Sequence, residues 1–139
     1  MSAKNRAQAI EWLKAALLDL KSIEKIIDDE FLTPIAAFHT QQAVEKSLKA
    51  IIEYEKIEIS KTHNLKRLYK KIEHIIELDK NRLDFINELY IDSRYPGDMR
   101  LLPYGKPTLE DAREFYEFAQ SVFDKVCEIL AVDKDILLK

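Results

Sequence analysis

TPIAAFHTQQAVEKSLKAIIEY, Thr33–Tyr54, is the stretch that decides the fold. Thr33 suits an N-cap and Pro34 the first helical position, because proline lacks the N–H that a helix start leaves unpaired. Ile35, Phe38, Val44, Leu48, Ile51 and Ile52 then form a wide apolar stripe at helical spacing. Working outward, a first helix is predicted over about Lys4 to Asp28, with Ala9, Leu13, Ala16, Leu20, Ile23 and Ile27 on one face. A third, about Asn64 to Glu77, buries Leu65, Leu68, Ile72 and Ile75, and a fourth, about Lys80 to Asp92, uses Leu83, Ile86 and Tyr90. The last starts at Thr108, with Asp111 at the third position and Pro107 before the cap. Ala112, Tyr116, Ala119, Phe123, Val126 and Leu130 carry it to the chain end. Only Ile57-Glu58-Ile59 has any strand character. The expected architecture is all-α: one domain over 1–139, an up-and-down bundle of four to five helices joined mostly by short connectors.

The exception among the connectors is SRYPGDMRLLPYGKP, Ser93–Pro107, which holds both glycines and three of the four prolines. A loop this long in a compact helical chain is usually functional. Arg94, Arg100, Tyr95, Tyr104, Asp98 and Lys106 make it a candidate anion-facing surface.

Composition narrows the classes of function. Apolar residues are 47% and charged residues 34%, a folded balance rather than a disordered one. No apolar run is long enough to cross a bilayer, and MSAKNRAQAIEW lacks the features of a signal peptide. A single cysteine, Cys127, excludes an internal disulfide and fits a reducing, cytoplasmic setting. Its place in an apolar-periodic stretch marks it as a packing residue. A net charge of −3 argues against broad DNA binding but leaves room for a local phosphate or RNA site.

Within the second helix, His39, Gln42, Lys46 and Lys49 follow one another at three, four and three residues, along one face beside the apolar stripe. A histidine and two lysines there could hold a nucleotide or phosphodiester; an ordinary solvated face with Glu45 and Glu53 is the plainer reading. Gln41 and Gln42 are amides that need a partner helix or a subunit interface. In Lys61-Thr62-His63-Asn64-Leu65, Thr62 or His63 suits the capped start of the third helix, while His74 lies on its exposed side. Three scattered histidines and one cysteine offer no metal-binding spacing, and no cofactor motif occurs.

Together, FHTQQAVEKSLKAII (Phe38–Ile52), KTHNL (Lys61–Leu65) and YIDSRYPGD (Tyr90–Asp98) resemble the HEPN domain family (higher eukaryotes and prokaryotes nucleotide-binding). AIEWLKAALLDL at Ala9–Leu20 fits the same pattern. The resemblance implies a helical bundle paired across a two-fold axis and a minimal nucleotidyltransferase as frequent partner. Many members are metal-independent ribonucleases whose arginine is followed four to six residues later by a histidine. Arg94 is the matching arginine, but no histidine occurs after His74. The resemblance therefore implies a nucleotide- or RNA-binding module lacking the usual ribonuclease histidine; helix face and loop position make His39, Gln42, Lys46, Lys49, Arg94, Tyr95 and Asp98 the candidate binding residues. The alternatives are a ribonuclease toxin of a toxin–antitoxin pair, with Arg94 catalytic and a displaced histidine, and a purely structural dimerisation subunit.

Overall fold

The chain folds as a bundle of helices in a computed structural model that describes residues 3–58, 61–93 and 106–139. In order these are α1 (Ala3–Ile26), a 3₁₀ turn (Glu30–Leu32), α2 (Thr33–Tyr54), α3 (Leu65–Ile72), α4 (Lys80–Ser93), α5 (Leu109–Ile129) and α6 (Lys134–Leu137). No strand occurs among the described residues, so Ile57 and Glu58 form no strand pairing there.

Side-chain contacts fix the topology. Asn5 meets the Glu53 carbonyl, Trp12 lies under Lys49, and Asp19 faces Lys46, so α1 and α2 run antiparallel. Arg6 donates to the carbonyls of Leu130 and Ala131 at one end of α5, and Tyr116 donates to Glu24 near the other. That sets α5 antiparallel to α1. Lys125 reaches the Glu77 carbonyl while Phe85 packs on Phe115, which makes α4 antiparallel to α5. The result is the expected up-and-down frame, with α2 touching α1, α3, α4 and α5. Leu13, Leu20 and Ile23 of α1 pack with Leu48, Ile51 and Ile52 of α2 and Phe123 of α5, all fully buried. Each such side chain contributes about 1.5–3 kcal/mol relative to exposure.

Several boundaries differ from the sequence expectation. Thr33 is not the N-cap but already helical; its hydroxyl donates to the Pro107 carbonyl at 2.7 Å and to that of Glu30, stitching α2 to the start of α5. The cap of α3 is Asn64 rather than Thr62 or His63: its side chain accepts from the N–H groups of Lys66 and Arg67. This helix ends at Ile72, because the chain turns to bury Ile76 and Leu78, and the Leu78 N–H reaches the Tyr69 hydroxyl. Thr108 and Asp111 form the capping box as expected. The last helix is interrupted by Ala131, in the left-handed region at φ 52°, with Val132 N–H returning to the Cys127 carbonyl. Lys56 ends α2 the same way at φ 59°. Both sites do with a Cβ what glycine does more cheaply. Ile35 and Phe38, expected in the core, are exposed.

Candidate functional site

The polar chemistry gathers on α2, at two buried carboxylates. His39 and Lys46 are seven residues apart, two turns along one face, and the antiparallel α1 sets Asp19 between them. Asp19 Oδ1 accepts from His39 Nδ1 at 2.8 Å, and Oδ2 accepts from the Lys46 ammonium at 2.8 Å. A carboxylate matched to lysine accepts only, so His39 carries its hydrogen on Nδ1 and turns Nε2 away from Asp19. The Asp19 side chain is 8% exposed, against 27% for His39 and 25% for Lys46. The anion is inside, and the cation and the imidazole edge reach the surface.

Glu45 makes the second hub. Its Oε2 accepts from Lys49 at 2.8 Å, while Oε1 accepts from His63 Nδ1 at 2.9 Å and from Gln41 at 3.2 Å. Gln41 also donates to the His63 carbonyl, and Gln42 donates to the side-chain amide oxygen Oε1 of Gln41 at 2.6 Å. The Lys49 ammonium lies 5.3 Å from the centre of the Trp12 ring, a cation–π contact that substitutes for lost water. Beyond His63, Asn64 caps α3 and the buried Asn87 of α4 accepts from the Leu65 N–H. Among the described residues, no buried side-chain nitrogen or oxygen lacks a partner.

Of the predicted binding residues, the structure brings His39 and Lys46 together. It places Gln42 beside them, tied to Gln41. Lys49 is turned inward onto Glu45, with only 9% of its side chain exposed. Arg94, Tyr95 and Asp98 lie outside the described residues, as do Arg100 and Tyr104. Lys106 donates to the Glu30 carbonyl. Glu45, expected on a solvated face, is buried, and Gln41 meets its needs within the subunit. Asp19 escaped the sequence reading. The signal for it was a lone acid three residues after Ala16 and four before Ile23, on the buried side of α1.

Away from these hubs, burial pushes the Cys127 thiol up to about 11, with Lys134 opposing and Asp124 adding to it. The thiol is therefore neutral and unreactive near neutral pH, as expected of a packing residue. Burial first, and then the hydrogen bond and charge of Glu24, push the Tyr116 phenol up as well.

The sequence model of the HEPN domain matches residues 9–130, from the first buried turn of α1 to the end of α5. The chain belongs to the HEPN domain family. No curated protein and no solved structure matches it. Within this HEPN fold, FHTQQAVEKSLKAII is the part of α2 that carries both hubs. KTHNL supplies His63 and the cap of α3. Of YIDSRYPGD, Tyr90–Ser93 close α4 and the rest lies outside the described residues.

Proposed function

We propose that this HEPN chain binds a nucleotide or an RNA end along the outer edge of α2, and acts with a minimal nucleotidyltransferase subunit. The observation that carries the reading is the Asp19 hub. It holds the Lys46 ammonium and the His39 imidazole side by side at the surface while the neutralising carboxylate stays inside. In this role Lys46 meets a phosphate, His39 orients the base or ribose, and Gln42 adds a polar contact. Arg94 supplies a bidentate phosphate contact, Tyr95 stacks, and Asp98 accepts from the base. Lys49 acts indirectly, by holding Glu45 and through it His63. Leu18, Phe31 and Ile35 are large apolar side chains left exposed, which supports a homodimer. Light scattering at micromolar concentration should give twice the 16.3 kDa chain mass.

The test is a thermal-shift titration with the four nucleoside triphosphates and short RNA, with and without magnesium. A ligand at one hundred times its Kd stabilises the folded state by about 2.7 kcal/mol. The expected result is a shift with at least one ligand that disappears in Lys46→Ala. A flat response to every ligand would overturn the reading.

The imidazole–carboxylate pairs also favour a second reading, a metal-independent ribonuclease. A histidine held through Nδ1 by a buried carboxylate is the arrangement a general base requires. Such a base would take the proton of a ribose 2′-hydroxyl as its oxygen attacks phosphorus, leaving a cyclic phosphate and, once the departing oxygen is protonated, a 5′-hydroxyl. RNA remaining intact after long incubation in EDTA at high protein concentration excludes this activity.

A further inference from the structure

The connector and helix that follow α2 read KTHNLKRLYKKI, Lys61–Ile72: five lysines and arginines with no carboxylate. In a chain of net charge −3 that segment is +5, so the remainder carries −8. The helix sorts these charges. Leu65, Leu68, Tyr69 and Ile72 are buried, while Lys66, Arg67 and Lys70 are exposed. Like charges at positions three and four apart oppose helix formation, so α3 keeps a ridge that its own sequence does not favour. Little neutralises it. Lys66 approaches Asp84 only at 3.8 Å, and Lys71 donates to a backbone carbonyl, that of Glu58. Arg67 and Lys70 make no ion pair among the described residues. The ridge begins next to His63, so it continues outward from the Glu45 hub.

From this charge separation we infer that α3 is a second contact surface, one that follows the phosphate backbone of an RNA strand. The inference rests on the nucleotide- or RNA-binding reading and narrows it: the ligand is a polymer, not a mononucleotide. An eight-residue helix is about 12 Å long, enough for several phosphates of a strand. Arg67 and Lys70 make backbone contacts, which position a strand without reading its sequence. The remainder of the chain has a net acidic charge, which disfavours a strand lying away from this ridge and the Lys46 edge of α2.

The experiment is fluorescence anisotropy with a labelled oligouridylate of about a dozen nucleotides, in the range of single-strand sites. A fluorescent UTP analogue and a polyglutamate peptide of matched charge serve as comparison probes. The proteins are the unaltered chain, Arg67→Ala/Lys70→Ala, and Lys21→Ala/Lys25→Ala, which removes the same charge from α1. The first double variant should bind the oligomer about tenfold more weakly and lower the slope of log affinity against log salt by about 1.4, two phosphates' worth. It should leave the UTP analogue unaffected, and the α1 variant should bind like the unaltered chain. Oligomer binding that survives the α3 double variant overturns the inference while leaving the nucleotide reading in place. So does an equal loss in the α1 variant, which would make the effect one of net charge alone. Polyglutamate bound as tightly as RNA would assign the ridge to an acidic protein surface instead. If the unaltered chain binds neither nucleotide nor oligomer, both readings fall together.

Discussion

The two hubs on α2 are built from one kit, a buried carboxylate with a lysine and a histidine on Nδ1, yet they differ in which member faces water. At Asp19 the lysine and histidine are both about one-quarter exposed. At Glu45 the lysine is sealed under Trp12 and the histidine is 53% exposed. An accessible ammonium can exchange its carboxylate for a ligand; a sealed one cannot without leaving its charge stranded. The Asp19 hub therefore suits binding, and the Glu45 hub suits anchoring the connector that leads to α3.

Four substitution experiments can break or sharpen that contrast. Glu45→Ala strands Lys49 and releases His63, and should cost about 3–5 kcal/mol in urea unfolding. Replacing the pair together, as Glu45→Gln/Lys49→Met, should return stability to within about 1 kcal/mol of the starting protein, because no buried charge remains. Asp19→Ala should cost less, about 1–2 kcal/mol, since Lys46 and His39 can rehydrate. If it costs as much as Glu45→Ala, the contrast between anchor and binding edge is lost. Lys46→Met leaves the buried Asp19 carboxylate with His39 alone, and should cost about 1–2 kcal/mol while removing nucleotide-induced stabilisation. A change that touches neither hub sets the scale: Lys56→Gly relieves a left-handed side chain and should gain about 0.5–1 kcal/mol in the same measurement.

Cys127 gives the contrast a baseline, since its burial is compensated by no hub. Its folded-state pKa is raised from 9.0 to about 11. The stability linked to the neutral thiol is intact below pH 9 and is lost as pH rises through about 11. Cys127→Ala should lack that alkaline step when urea midpoints are compared across the window.

The helices were legible because apolar spacing and caps are local signals: Leu13, Leu20, Leu48 and Phe123 fall where periodicity puts them, and Thr108 caps as its sequence demands. The ends of α3 and α5 were not, because Tyr69 and Ala131 act through contacts made only after the chain turns. In the site, the face shared by His39 and Lys46 could be read from one helix. Their carboxylate lies on another helix, and nothing in the spacing of α2 points to it. Glu45 and Lys49 illustrate the opposite error. Their i, i+4 spacing is that of a surface pair, and only the placement of Trp12 on α1 shows that they are buried.

The contacts between α1 and α2 also work as a mechanical key. Asn5 with Glu53, Trp12 with Lys49, and Asp19 with Lys46 are spaced along the whole hairpin. Sliding one helix past the other by a turn, about 5.4 Å, would unmatch all three at once. The hairpin is therefore locked along its axis and behaves as a rigid spar. Any rearrangement that accompanies ligand or partner binding must be taken up by the segments attached to it, beginning with the His63 connector and α3.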